Sequence, residues 1–196
     1  MTDSIPVIAV DGPSGSGKGM VATHLAEQYG FSLLDSGALY RLVGIAAREA
    51  GFDLDAEAVD ETALAKLTEQ LDITFSPTGD PEDPLVITLA GEDVTRRARS
   101  DEAGVYASVV AALQGVRDGL TTLQKSFRQK PGLVADGRDM GTVIFPDATV
   151  KIYLTASAQA RAERRYNQLN EKGINASLVA VEEAMRARDQ RDEQRE

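Results

Sequence analysis

DGPSGSGKG occupies Asp11 to Gly19. These nine residues hold four glycines and one lysine, and they lie between the apolar run IPVIAV (5–10) and GMVATHLAEQYG (19–30), where Met20, Val21, His24, Leu25 and Gln28 recur at helical spacing. A glycine-rich loop between a buried strand and a helix presents successive main-chain N–H groups to a common centre, and the helix N-terminus adds partial positive charge there. The stretch therefore predicts an anion nest. Gly12, Gly15 and Gly17 supply backbone conformations or a closeness of approach barred to larger residues, with Pro13, Ser14 and Ser16 completing the loop.

Working outward, IPVIAV is rich in β-branched residues and continuous, as expected of a central parallel strand covered on both faces. FSLLD (31–35) is a second strand, Gly30 a helix C-cap, and Asp35 or Ser36 caps a helix over GALYRLVGIAAREAG. Strand, loop, helix, strand and helix within fifty residues make a βαβ unit. Positions 55–71 read as helix, and 72–95 as a small antiparallel insertion around the turn-rich PTGDPEDP. A helix pair over 100–129 divides near Gly115. GLVADG (132–137) and TVKIYL (149–154) read as further buried strands, and two helices hinged at Gly173 close the chain. The expected fold is α/β: a single domain over 1–196, with a doubly wound parallel sheet in three layers, a small β insertion at 72–95 and a helical lid over 157–185.

Composition narrows the function. The chain of 196 residues carries a formal charge of −10, which argues against a broad nucleic-acid or anionic-membrane surface. The absence of cysteine rules out disulfides and thiolate metal sites. No apolar segment is long enough to span a bilayer, and a soluble cytoplasmic monomer is expected. The cations are unevenly spread: positions 161–196 hold seven of the fifteen arginines and are neutral overall, so the first 160 residues carry the whole acidic excess. Such a segment is either a solvated, salt-bridged helix face or a set of cations gathered for a small polyanion.

Gly12-x4-Gly17-Lys18 satisfies the P-loop pattern up to its last position, and Lys18 then lies beside the β- and γ-phosphates of a nucleoside triphosphate. At that last position Gly19 replaces the Ser or Thr hydroxyl that usually ligates Mg2+, which predicts a water-mediated metal site. A guanine-reading N-K-x-D segment is absent, so a small kinase is favoured over a GTPase. LVADGRD ends a strand with Asp136, Arg138 and Asp139 clustered: Arg138 can fork onto an acceptor phosphate, and Asp139 can accept from an exocyclic amine, which cytosine has and uracil lacks. Arg188, Arg191, Asp192 and Arg195 fall at i, i+3, i+4 and i+7, on one helix face. Arg161, Arg164 and Arg165 form a second cluster.

DGPSGSGKG, LLDSGALYR (33–41), DGRDMGTVIFPDA (136–148) and RARDQRDEQR (186–195), in this order, resemble the bacterial cytidylate kinases of the P-loop nucleoside-monophosphate kinase group. The resemblance covers essentially the whole chain. It implies transfer of the ATP γ-phosphoryl group to CMP or dCMP with Mg2+, a step in pyrimidine nucleotide recycling. It implies that residues 12–20, ending in Met20, bind ATP. Ser36, Tyr40, Arg41, Ser108, Arg117, Arg138, Asp139, Arg188, Asp192 and Arg195 would then bind CMP. Among these, Arg41 and Arg195 meet phosphate, Ser108, Arg117 and Asp139 read the cytosine edge, and Arg188 and Asp192 hold the ribose. Arg164 and Arg165 become lid cations that act in transfer with Lys18, Arg138 and Arg188, and Asp136 a Walker B carboxylate holding the Mg2+ water shell. The single histidine, His24, receives no role.

Two departures from the family pattern stand out: Met20 replaces a threonine whose hydroxyl reaches the α-phosphate, and the chain stops at Glu196, before the family's final strand and helix. A kinase for another monophosphate or small metabolite, and an idle nucleotide-sensing module, are the competing readings.

Overall fold

The computed structural model describes residues 5–54, 59–77, 85–171 and 175–193. The chain begins with β1 (Val7–Asp11), α1 (Lys18–Tyr29), β2 (Ser32–Asp35) and α2 (Ser36–Glu49). It continues through α3 (Glu61–Glu69), strands β3 (Ile73–Pro77), β4 (Leu85–Leu89) and β5 (Glu92–Asp93), and helices α4 (Thr95–Ala98), α5 (Asp101–Val110) and α6 (Gln114–Ser126). Then come β6 (Leu133–Gly137), a single π-helical turn (Met140–Ile144), β7 (Val150–Tyr153), α7 (Ala158–Glu171) and α8 (Leu178–Glu193). Contacts divide it into two units, one comprising 1–36 and 124–196, the other 37–123.

The first unit is built on a parallel sheet of order β2-β6-β1-β7. Every residue of β1 and β6 is buried, which is why both read in sequence as apolar runs that a carboxylate, Asp11 or Asp136, interrupts only near the carboxyl end. β1 pairs with β6 from Val7 opposite Leu133 to Asp11 opposite Gly137. Ala22 and Ala26 of α1 pack on Ile8, Val10 and Val134, with Leu25 and Phe31 at the edge of the cluster. Burying Val10 and Val134 completely contributes roughly 1.5–3 kcal/mol each relative to exposure. In the same unit α7 and α8 join through Ala162, Leu169 and Val181.

The second unit holds the antiparallel sheet β3-β4-β5. Alternation in VITL places Ile87 and Leu89 on its buried face, where they meet Leu42, Ile45 and Ala46 of α2 and Val94, Ala98 and Ala103. Asp60 caps α3 by accepting from the Ala63 N–H at 3.0 Å, and Ser100 caps α5 by accepting from Ala103 at 3.1 Å.

Three sequence expectations change. TVKIYL forms a strand but not a buried one: β7 pairs with β1 alone among the described residues, and Val150 and Tyr153 are 45% and 72% exposed. Gly115 does not divide the helix pair. The break falls at 111–113, and Gly115 sits in the first turn of α6, where a Cβ would stand 2.9 Å from the Ala65 Cβ, so the glycine permits close helix approach. The helix expected over 55–71 is Glu61–Glu69, with 55–58, like the Gly173 hinge, outside the described residues.

Gly44 of α2 lies against α5, and a Cβ there would meet the Tyr106 Cβ at 2.5 Å. Gly44→Ala lowers unfolding free energy by about 1–3 kcal/mol through overpacking, although alanine is the better helix former by about 1 kcal/mol. Urea denaturation checks this, and an unchanged midpoint contradicts the tight α2–α5 contact.

Candidate active site

β1 ends on Asp11 and β6 on Gly137, in register, so the loops leaving both strands begin side by side at the carboxyl edge of the sheet, where open α/β sheets bind ligands. The first loop runs from Gly12 into α1. Gly12 has φ +151°, and a Cβ there would lie 2.0 Å from the Leu154 carbonyl oxygen. Gly17, the N-cap of α1, has φ +95°. Neither position admits a side chain without strain. Met20 is 80% exposed, so its side chain does not fill the loop.

The carbonyls of this loop accept from arginines of two segments, the turn after β6 and helix α7. Arg138 Nη1 donates to the Gly12 oxygen at 2.6 Å, Arg161 Nη1 to the Ser14 oxygen at 3.0 Å, and Arg164 Nη1 to the Ser16 and Gly15 oxygens at 3.3 and 3.5 Å. Arg161 is buried and also holds Asp189 of α8 through two bonds of 3.0 and 2.5 Å. Arg138 is paired with Asp192, Nε to Oδ2 at 2.8 Å. Arg165 instead donates to Gln168 of its own helix at 3.4 Å.

Lys18 and Asp136 form the electrostatic centre of the first unit. Nζ of Lys18 is 3.9 Å from Oδ1 of Asp136, with both side chains largely shielded from solvent. Burial lowers the Lys18 pKa, and the charges of Arg138 and Arg188 push the same way against Asp136 and Asp35. Burial likewise raises Asp136 to about 7, with Lys18 opposing and Asp35 adding to the shift. Asp136 Oδ1 has no hydrogen-bond partner among the described residues. A Cβ on Gly19 would stand 3.4 Å from Asp136 Oδ2, so the missing hydroxyl leaves space beside this carboxylate. A single under-satisfied carboxylate with open space beside it would suit the water shell of a Mg2+ ion. Among the described residues no group of three or more His, Cys, Asp or Glu forms a metal cage, and Mg2+ does not require one.

Ser36 is buried at the start of α2, directly after β2, and Gly137 keeps room for it, since a Cβ at 137 would lie 2.6 Å from its Oγ. Asp139 precedes the π-helical turn and caps it with its carbonyl, which accepts from Val143 and Ile144 at 2.9 and 3.1 Å. The first unit thus brings together Gly12 to Gly19, Lys18, Asp136, Arg138, Arg164 and Asp192, with Arg188 near enough for its charge to act on Lys18.

The second unit carries Tyr40, Arg41, Ser108 and Arg117. Arg41 Nη1 donates to the carbonyls of Ala98 and Ser100 at 2.8 and 3.4 Å. Arg117 closes the C-terminal end of α5, donating to the carbonyls of Ala111 and Ala112 at 3.0 and 2.8 Å, and bonds Gln114. Ser108 is buried and Tyr40 half-buried. Arg195 lies outside the described residues, as does the Arg191 side chain.

Sequence reasoning overlooked Asp11 and the Arg161–Asp189 pair. Asp11 is buried, and its two carboxylate oxygens accept from the main-chain N–H groups of Met140 at 2.9 Å and Gly141 at 2.8 Å. A carboxylate ending an otherwise apolar buried strand was the available signal.

A family model described as cytidylate kinase matches residues 8–196. Curated relatives carry the same name. One from Stutzerimonas stutzeri is 54% identical over 195 residues, covering 100% of this chain and 83% of that protein. One from Pseudomonas savastanoi pv. phaseolicola is 54% identical over 190 residues, 97% of this chain and 81% of that protein. One from Cupriavidus necator is 53% identical over 191 residues, again 97% and 81%.

The raised Asp136 pKa makes stability depend on pH. In metal-free buffer the stabilising contribution is complete below the ordinary value of 3.8 and lost as pH rises to about 7, because the unfolded chain releases this proton first. Asp136→Asn removes the titration, so its melting temperature falls less than the parent's between about pH 4 and about pH 8. Equal melting profiles for the two proteins contradict a buried carboxyl at this position.

Proposed function

The chain belongs to the cytidylate kinase family, and we propose that the loops at the carboxyl edge of its parallel sheet perform the family reaction, moving the γ-phosphoryl group of ATP to CMP or dCMP. The observation that carries this reading is the loop of residues 12–17. It opens on Lys18 at a helix N-terminus, and its carbonyls are held by Arg138, which the resemblance assigns to CMP, and by Arg164, which it assigns to the lid.

An acceptor oxygen on the CMP phosphate attacks the γ-phosphorus in line, and the bond from that phosphorus to the β,γ-bridging oxygen breaks, leaving ADP and CDP. A nucleotide phosphate is largely ionised near neutral pH, so the attacking oxygen needs no proton removed and the site needs no general base. That accounts for a site without histidine or cysteine. The work is electrostatic: two polyanions are aligned against their repulsion, and the charge of a loose transition state is matched by fixed donors.

Loop N–H groups and Lys18 take the β- and γ-phosphates. Burial lowers the Lys18 pKa and the charges of Arg138 and Arg188 add to this, and phosphate anions beside the ammonium oppose the shift by favouring its charged form. Asp136 would hold the water shell of Mg2+, which supplies neutralisation of the phosphate oxygens when bound. Arg138 and Arg188 face the acceptor phosphate and ribose with Asp192, and Asp139 reads the cytosine amine. The sequence assigns Ser36, Tyr40, Arg41, Ser108, Arg117 and Arg195 to the same nucleotide. Arg164, already on the loop, and Arg165 serve as the lid cations, and excluding water there suppresses ATP hydrolysis. Because Met20 projects outward, the α-phosphate relies on main-chain donors. No helix among the described residues is long and apolar enough to cross a membrane. We infer a cytoplasmic monomer that acts on free nucleotides.

Coupled ADP release with ATP, Mg2+ and CMP tests the reading. Lys18→Ala reduces turnover by about 10²–10³-fold, the scale of losing one charged transition-state donor, with circular dichroism unchanged. Turnover close to the parent's contradicts the assignment of Lys18. A parent that binds both nucleotides but releases no ADP contradicts the kinase reading.

A further inference from the structure

Arg138 and Asp139, two of the side chains assigned to the acceptor nucleotide, form the apex of an arch from Gly137 to Gly141. Both feet of the arch rest on one residue. At the first foot, Gly137 pairs with Asp11 in the sheet. At the second, Asp11 Oδ1 accepts from the Met140 N–H at 2.9 Å and Oδ2 from the Gly141 N–H at 2.8 Å. The residue after Asp11 is Gly12, where the phosphate loop begins, and its carbonyl accepts from Arg138 of the arch at 2.6 Å. The arch and the phosphate loop are therefore tied through two adjacent residues in both directions.

The tie is costly in isolation. Asp11 is 7% exposed, and burial is the largest influence raising its pKa, with the charge of Asp139 adding to it; the two N–H bonds and Arg138 oppose this. A buried carboxylate here serves structure only by what it holds, and what it holds is the turn that aims Arg138 and Asp139. Neutral alternatives of the same size cannot do this: an asparagine amide offers one acceptor and would turn an NH2 toward the second N–H.

We propose that Asp11 is a positioning residue for the phosphoryl acceptor, fixing the Arg138–Asp139 arch relative to the loop that carries the donor phosphates. The proposal rests on the assignment of that arch to CMP. It separates Asp11 from a general stabilising role, because losing one tether displaces the acceptor-reading side chains and leaves the loop from Gly12 to Lys18 with the contacts of Arg161 and Arg164, which lie outside the arch.

Asp11→Asn, kept folded by circular dichroism at the assay temperature, is compared with the parent using CMP and UMP as acceptors. The expected result is a KM for CMP raised about tenfold or more, a KM for ATP within about threefold of the parent, and a smaller CMP-to-UMP ratio of kcat/KM, following the loss of one charge-assisted acceptor. Unchanged KM for CMP and an unchanged acceptor ratio overturn the proposal, as does an equal rise in KM for both substrates. If the variant does not fold, hydrogen exchange in the parent decides. The Met140 and Gly141 amides then exchange at least about 10²-fold slower than unstructured references, and exchange at the reference rate overturns the proposal. A parent without CMP turnover would instead remove the assignment on which the proposal rests, an outcome distinguishable from a failing Asp11 variant in an active parent.

Discussion

Main-chain N–H groups can converge on a phosphate only if the carbonyls that alternate with them are satisfied elsewhere, because each peptide brings one acceptor for every donor. This constraint organises the first unit. The carbonyls of Gly12, Ser14 and Ser16 accept from Arg138, Arg161 and Arg164. Guanidinium suits the task, since it is always charged, has five donors and accepts nothing, so it can satisfy a carbonyl while retaining donors for other partners. Arg161 shows the principle most fully. It holds Ser14, the Ala156 carbonyl and both oxygens of Asp189, which joins the loop to α7 and α8 through a single buried cation.

The same arrangement explains where the strain lies. Lys18 is lowered, while Asp11 and Asp136 are raised, and in all three burial is the leading cause. A chain selected only for stability would not gather three buried titratable groups at the end of one sheet, since each disfavours its own charged form. In the proposed reaction phosphates and a hydrated cation would relieve the Lys18 and Asp136 costs, whereas the cost of Asp11 is offset within the protein by two N–H bonds. On that reading the contrast separates the groups that would meet substrate from the one proposed to align them.

What the sequence made legible follows from the range over which each feature is determined. The glycine spacing and Lys18, the buried strand before them and the antiparallel segment near 73–93 depend on local conformation and periodicity, and each stands where expected. The roles of Asp11 and Arg161 do not, because their partners lie far along the chain: Asp11 meets Met140 and Gly141, and Arg161 meets Ser14 and Asp189. Exposure of β7 was equally hidden, since an apolar run reports that a segment prefers burial and not whether a neighbouring strand pairs with its second edge. Gly115 illustrates a third case, in which a glycine that reads as punctuation is instead a point of contact with Ala65.

Arg138 joins these levels. Sequence alone gives it a phosphate, yet its guanidinium is divided between Asp192 on α8 and the Gly12 carbonyl. A guanidinium that has already surrendered rotamer freedom to two protein acceptors loses less on meeting a third, anionic one, so in the proposed reaction the pair with Asp192 would prepare Arg138 for phosphate instead of competing for it. Its bond to the first glycine of the donor loop makes the coupling mutual: any shift of that loop moves the group proposed to face the acceptor. In-line transfer demands such shared alignment, because misplacing either reacting atom by about 1 Å costs as much as losing a catalytic donor.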